Sequence, residues 1–409
     1  MSPNSSLIHG PDAPPSHVPL AARLPKFVGG PADAVERLTT ARLGVVACGS
    51  VGIRIAKHLA HLQPAGLLLI DPSLTKPEST LTYDVGHSAV GQAKALLAAD
   101  ACRDIHPGGA IAALVCPAEE VPLGVLAGLD GLFCASDNLP CEVHVGDAAQ
   151  RLGLPLVMAA VDGPTLSAQV RVFANAATDG PCPACAFNDD EWRMHDEAMI
   201  FSCAGRTAAV RTAPTMSVSH LCSTAADLAV NQWLRLRLGL GSPVADTLIA
   251  WSGFTHRTLE SPLDRNSRCR CCHARLLRVP VSFPPAGYTI GQLGDLVRSQ
   301  SGKPLDGLEV EEHVFVEEAH CRDCGRDVAI GRFVPAAEVE DGAGCTCPRC
   351  GAPPVIAPFY RRRFVPISRL PSTATLAELG AAEARGVLAN MGESTALIYA
   401  DHRTTEVVS

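Results

Sequence analysis

The residues of this chain whose types and spacing can do chemistry form two groups, a phosphate-type loop with following charged residues and a set of thiolates. Gly49 and Gly52 stand between an apolar run, Leu43-Gly-Val-Val-Ala-Cys48, and a stretch of helically spaced apolar residues from Ile53 to His61. Gly49 permits a tight turn and Gly52 a close approach of helix to strand, which leaves backbone N–H groups at a helix N-terminus facing an anion. Ala47 occupies the first glycine position of the usual dinucleotide fingerprint, which is therefore incomplete. Asp71 follows the next apolar run, Leu67-Leu-Leu-Ile70, where a carboxylate can accept ribose hydroxyls in NAD and ATP sites alike. The thiolates are plainer. Cys321-Arg-Asp-Cys324-Gly325 and Cys347-Pro-Arg-Cys350-Gly351 are two knuckles separated by 22 residues, the spacing of a zinc ribbon. Four thiolates leave zinc no open position, so this site reads as a structural staple or docking module.

The elements that must hold these residues follow from apolar patterning. Strands are expected near residues 43–48, 66–70, 111–115, 131–135, 155–161 and 168–174, with an apolar helix from Ser217 to about Leu238. Residues 1–19 carry five prolines among polar residues and read as a disordered leader. The prolines between Pro280 and Gly287 mark a boundary, so the chain divides into a nucleotide domain over 20–279 and a C-terminal domain over 286–409, with the ribbon at about 314–356. Tyr288 to Val297 reads as a helix with its surrounds, and Thr375-Leu-Ala-Glu-Leu379 as a helical turn. At 409 residues and 47% hydrophobic content the chain can bury sizeable cores, and scarce aromatics (4%) favour a helix-rich α/β protein. A net charge of −8 argues against nonspecific nucleic-acid binding, and no apolar run reaches membrane-spanning length. Seventeen cysteines, an odd number, without an apolar signal segment point to metal binding in a reducing cytoplasm.

From Asp71 onward the sequence resembles the ThiF/MoeB family of adenylating enzymes, which includes the ubiquitin-activating enzymes. The run Asp71 to Lys94, ending Gly91-Gln-Ala-Lys94, aligns without gaps to that family's stretch from the ribose-binding acid to its Gly-x-x-Lys motif. Cys134-Ala-Ser-Asp137-Asn138 matches the strand-end Asp-Asn, and Cys182-Pro-Ala-Cys185 the first half of a zinc site. The resemblance covers roughly residues 22–275. It implies a Rossmann-like adenylation domain with a mixed β-sheet flanked by helices, the smaller ribbon domain following. It also implies ATP held by Gly49, Gly52, Asp71, Lys94, Asp137 and Asn138, with Mg²⁺ on Asp137 and Lys94 on the phosphates. A distant pair, Cys269 and Cys272, would close the first zinc site with Cys182 and Cys185, although Cys269-Arg-Cys271-Cys272-His273 offers four possible ligands. Cys203, ahead of Ala213-Pro-Thr-Met216, falls where activating enzymes carry their thioester cysteine; the bland reading is a buried structural thiol. Cys222, mid-helix among apolar residues, reads as core.

The departures from the family bear on function. Its Asn-x-x-Arg-Gln segment falls on Ser79 to Tyr83, with Thr82 in place of arginine, and a second motif arginine is replaced by Glu142. Arg54 and Lys57 are candidate replacement cations; without one, the chain would be a noncatalytic scaffold that binds a carrier protein or completes a dimer. With one, the resemblance implies ATP-dependent activation of a small ubiquitin-like or sulfur-carrier protein, a conjugating enzyme as further partner, and a homodimer. A nicotinamide dehydrogenase rests only on the Gly49/Gly52 turn and gives Lys94, Asp137 and the cysteine pairs no role.

Overall fold

A computed structural model of the chain describes residues 27, 29–175, 180–203, 217–242, 245–271, 273–336 and 346–401, of which 198–203 by backbone alone. Short apolar strands alternate with helices through the first half: α1 (Ala34–Thr39), β1 (Arg42–Val46), α2 (Gly52–His61), β2 (Gly66–Ile70), α3 (Lys94–Ile105), β3 (Ala110–Leu114), α4 (Leu123–Leu126), β4 (Gly131–Cys134), α5 (Leu139–Leu152) and β5 (Leu156–Asp162). The pattern then turns antiparallel through β6 (Ser167–Phe173), α6 (Asp189–Cys203), α7 (Ser219–Leu238), β7 (Thr247–Ser252) and β8 (Thr258–Pro262). These strands form one mixed sheet in the order β3-β2-β1-β4-β5-β6-β7-β8, parallel from β3 to β5 and antiparallel beyond.

Both faces of the parallel half are covered, which is why its strands are runs of apolar residues with no alternating polar side. Leu43, Val45, Leu67, Leu69 and Phe133 pack under Ile53, Ile55 and Leu59 of α2 and Leu221, Ala225 and Trp233 of α7. Val46, Ile70, Leu132 and Cys134 point the other way, onto Val145, Ala149 and Leu152 of α5. A one-residue slip in register would exchange the two sets, so these opposed cores fix the pairing. Cys222 is fully buried within the first of them.

Beyond residue 276 come β9 (Leu277–Val281), α8 (Ile290–Ser301), β10 (Gly307–Val310), β11 (His313–Cys321), β12 (Arg326–Pro335), β13 (Arg361–Arg362), β14 (Phe364–Pro366), β15 (Gly386–Met391) and β16 (Ser394–Ala400). A second sheet has the order β14-β10-β15-β16-β9, and β12-β11-β13 forms a third, with Cys321 ending β11 and Cys324 in the turn before β12. Thr289 and Gln292 cap α8 reciprocally, and its buried Ile290, Leu293 and Val297 sit on Leu308, Val387 and Ile398. Leu397 and Tyr399, on the opposite face of β16, join the core beneath α5. The second sheet is thus packed against the first domain. β9 begins ahead of the Pro280–Gly287 segment and pairs in parallel with β16, so residues 277–279 belong to this second sheet. Residues 375–379 form one helical turn, closed by the Leu379 N–H on the Thr375 carbonyl. The leader over 1–19 lies outside the described residues.

Glu311, between β10 and β11, ties the two parts together. Its carboxylate accepts the Leu123 N–H at 2.7 Å and the Gly124 N–H at 2.9 Å, the first orphan donors of α4. Burial raises its pKa above the usual carboxylate range, opposed by these two N–H groups.

Candidate functional site

The chain leaves β1 outward to β2 and β3, then returns to β4 on the other side of β1. Such a reversal opens a crevice at the carboxyl ends of the strands, where doubly wound proteins bind nucleotides. The loop carrying Gly49 leaves β1 at this edge, Asp71 ends β2, and the Asp137-Asn138 loop leaves β4. Gly52 opens α2, and a Cβ there would lie inside the carbonyl oxygen of Ala47. Ala47 itself has φ +66°, the left-handed conformation that a glycine adopts without penalty. A Cβ on Gly49 would meet no heavy atom within 4 Å, so the loop faces open space at this edge.

The charged residues named from the sequence stand on the elements that flank this loop. Asp71 is 4% exposed, and its Oδ1 accepts the Ser73 N–H at 2.7 Å. Lys94 opens α3, and its N–H donates to the Ser73 carbonyl at 3.0 Å. Burial pushes the Cys48 thiol far above its ordinary value, the Asp71 carboxylate raises it further and the Lys94 ammonium opposes them. The Tyr83 hydroxyl donates to the Lys94 carbonyl at 3.3 Å. Asp137 is exposed beyond β4. Asn138 Oδ1 accepts the Cys141 N–H at 3.2 Å and caps α5.

Each of the two positions that lack a family arginine has an arginine beside it from elsewhere in the chain. At Thr82 it is Arg54, 8% exposed: one guanidinium nitrogen donates to the Ser50 carbonyl at 2.5 Å and the Thr82 carbonyl at 2.8 Å, the other to Ser219 Oγ at 2.7 Å. The Ser50 and Thr82 hydroxyls are themselves 2.7 Å apart. Glu142, 7% exposed, is paired at 2.7 Å with Arg171 of β6. Lys57 is engaged with Asp84 at 2.5 Å, and that ion pair lowers the Asp84 pKa. Sequence reasoning named Arg54 and missed Arg171, because nothing in the spacing of one chain links residue 171 to residue 142.

Among the described residues, two clusters of side chains can hold a metal: Cys182, Cys185, Cys269 and His273, and Cys321, Cys324, Cys347 and Cys350, the ligand atoms of each lying within 4.8 Å of one another. With Zn–S bonds of about 2.3 Å, tetrahedral zinc sets sulfur separations of about 3.8 Å. Cys182 lies 3.8 Å from Cys185 and 3.7 Å from Cys269, while Cys324–Cys347 is 3.8 Å and Cys321–Cys350 3.4 Å, so both donor sets fit zinc. The fourth group of the first set is a ring nitrogen: His273 Nε2 is 3.8 Å from Cys185 Sγ and its Nδ1 lies 3.2 Å from the Gly180 carbonyl, the second contact that orients a metal-binding imidazole. Cys272 lies outside the described residues. In the ribbon, the Arg349 and Cys350 N–H groups pull the Cys347 thiol down to about 6, toward the thiolate a metal needs. Cys203 ends α6; its side chain and residues 204–216 lie outside the described residues.

A mixed, doubly wound sheet with a glycine loop, a buried strand-end acid and a lysine at the next helix start defines a nucleotide-binding α/β protein. The ThiF family matches residues 22–272, and the chain belongs to it. It is 29% identical over 250 residues to a sulfur carrier protein adenylyltransferase of Thermus thermophilus, covering 58% of this chain and 84% of that protein. It is 32% identical to the mouse adenylyltransferase and sulfurtransferase MOCS3 and 30% to the SAMP-activating enzyme E1 of Haloferax volcanii, each over 37% of this chain; these alignments cover 32% and 55% of those proteins. Among solved structures, E. coli MccB with ATP aligns at 15% identity and a TM-score of 0.46, over 58% of this chain and 68% of that one. No helix among the described residues is long and apolar enough to cross a membrane.

Proposed function

We propose that this chain activates a small ubiquitin-like or sulfur-carrier protein, adenylating its C-terminal carboxylate with ATP and then taking the acyl group on Cys203. The observation that carries the reading is the loop from Gly49 to Gly52 at the switch point, with Asp71 at the end of the neighbouring strand, Lys94 at the start of α3, and Arg54 and Arg171 beside the two positions that lack a motif arginine. Asp71 accepts the ribose hydroxyls. The N–H groups at the start of α2 and the Lys94 ammonium hold the polyphosphate. The carrier's carboxylate attacks the α-phosphorus, the bond to the β-phosphate oxygen breaks, and pyrophosphate leaves. Asp137 is the residue that would hold a magnesium ion, which would supply positive charge to that leaving group. The Cys203 thiolate then attacks the acyl carbon and AMP departs. Arg54 acts through the loop it braces, binding Ser50 and Thr82 together beside the phosphates.

The remaining parts of the reading follow the same class: two structural zinc ions, assembly as a homodimer, a conjugating enzyme as acceptor, and a cytoplasmic site of action where the thiolates stay reduced. The test is ATP–pyrophosphate exchange on the purified chain with its carrier. Lys94→Ala and Asp137→Ala abolish exchange, and Arg54→Met lowers it by about 10²-fold, the cost of a phosphate loop displaced by about 1 Å. Cys203→Ala spares exchange and removes the carrier thioester. Carrier binding without exchange in the wild type would sink the catalytic reading and leave a scaffold.

A further inference from the structure

The first cysteine cluster is joined to α6 by one side chain. Arg270 lies within the knuckle, between Cys269 and Cys271. Its two terminal nitrogens donate to the two oxygens of Asp196 on α6, both at 2.9 Å. The same guanidinium carbon sits 4.3 Å from the ring centroid of Trp192, one helical turn earlier on α6. Trp192 is in turn fixed edge-on by Phe187 and by His195, each with ring centroids 5.4 Å away, and Phe187 is packed among Cys182, Ala184 and Cys185. His195 Nδ1 meets Asp196 Oδ1 at 3.1 Å. One face of α6 is therefore read by a planar fork that a lysine could not reproduce. Cys203 ends the same helix seven residues beyond Asp196, about 10 Å along the axis.

We propose that Arg270 is a positioning residue that couples metal at Cys182, Cys185, Cys269 and His273 to the order of α6, and thereby to the presentation of Cys203; the last clause rests on the function proposed above. Zinc fixes the backbone on both sides of Arg270, because the ligand Cys269 precedes it and His273 follows three residues on. A fixed Arg270 backbone lets the guanidinium reach carboxylate and indole at once. Without metal the knuckle has no closed geometry and the fork loses its mounting. The pair is half exposed, 51% for Arg270 and 46% for Asp196, so the coupling is modest.

The experiment is hydrogen exchange of the α6 amides over residues 189–197 in the full chain, with zinc content measured on the same samples. The comparison takes wild type, Arg270→Lys, Asp196→Asn and zinc-stripped wild type. Arg270→Lys is expected to speed α6 exchange roughly five- to tenfold, from the joint loss of a bidentate pair and a stacked guanidinium, and Asp196→Asn by less, because Arg270 still covers Trp192. Bound zinc should remain that of the wild type. Stripping zinc should speed α6 exchange in the wild type and add little in Arg270→Lys. Trp192 emission should shift in both. Carrier thioester formation should slow in Arg270→Lys while pyrophosphate exchange stays unchanged. Unaltered α6 exchange in Arg270→Lys overturns the proposal, and so does a loss of zinc in that variant, which would make Arg270 a support of the metal site. Absence of any thioester in the wild type would count against the assignment of Cys203, whereas the exchange and emission readings still judge the clamp.

Discussion

Two glycines three residues apart make different demands, and their alanine variants should fail differently. At Gly52 an added Cβ collides with the Ala47 carbonyl, so the loop must retreat by about 1 Å from the start of α2. Ala47 is already left-handed at φ +66° and has little freedom to absorb the shift. A displacement of that size at positioning groups costs about 10²-fold in rate, and it destabilises the fold as well, outweighing the roughly 1 kcal/mol that alanine gains over glycine inside a helix. Gly49 has a negative φ and an empty surround, so Gly49→Ala should leave stability within about 0.5 kcal/mol of wild type. Its methyl group intrudes only on what occupies the loop. The assay is thermal unfolding with and without saturating ATP, beside pyrophosphate exchange. Gly52→Ala should unfold earlier and exchange about 10²-fold more slowly. Gly49→Ala should unfold with the wild type in the absence of ATP and gain less from its addition. Wild-type exchange in Gly52→Ala would refute the close approach of loop and helix, and full ATP stabilisation in Gly49→Ala would refute placing the phosphates over Gly49.

Further expectations concern the metal sites and the junction between the two parts. The two donor sets predict two zinc ions per chain, and Cys324→Ala should halve the zinc found by elemental analysis while leaving pyrophosphate exchange intact, because the ribbon lies on a separate sheet. Glu311→Ala leaves two N–H groups of α4 unmatched and should cost about 2 kcal/mol, with faster hydrogen exchange at Leu123 and Gly124. The Glu311 pKa is raised on folding, so above the ordinary glutamate value the native state holds more protons than the unfolded one, and this group's contribution to stability falls as pH rises. The difference in unfolding temperature between wild type and Glu311→Gln should therefore shrink from pH 4 to pH 7; a growing difference would show that the two N–H groups outweigh burial.

The parallel strands and both cysteine knuckles of the ribbon were legible in the sequence, for separate reasons. Strands buried on both faces are runs of apolar residues, and Leu43 to Cys48 or Leu67 to Ile70 have that form without any knowledge of their neighbours. A Cys-x-x-Cys-Gly knuckle is a local structure whose ligands lie within one turn. The pairing of β9 with β16 was not legible, since it joins residues more than a hundred positions apart and begins before the proline-rich segment that reads as a boundary. The first metal cluster was half legible: Cys182 and Cys185 stand alone, but the second knuckle offers four ligands in five residues. The hydrogen-bond contact at Gly180 that orients His273 comes from 93 residues earlier.

The motif arginines show the same limit in its sharpest form. A motif records which residue type stands at a position, whereas catalysis depends on which charge stands at a point in space. Thr82 and Glu142 read as lost cations in the sequence, and one of them as a reversed charge. In the folded chain a guanidinium arrives at the first from α2 and at the second from β6. The two arrivals are not equivalent. Arg171 spends its charge on Glu142, so that pair is close to neutral and keeps only its hydrogen-bonding geometry. Arg54 donates to two carbonyls and a hydroxyl and acts on the Asp84 carboxylate through charge alone, so its positive charge stands beside the phosphate loop without a hydrogen-bonded ion pair to neutralise it. Buried at 8% exposure, that charge is weakly screened and favours an anion in the crevice. Arg54→Met should therefore weaken ATP more than adenosine, and Arg171→Met paired with Glu142→Gln should affect both equally. Equal loss of ATP and adenosine in Arg54→Met would show that Arg54 acts as a brace alone.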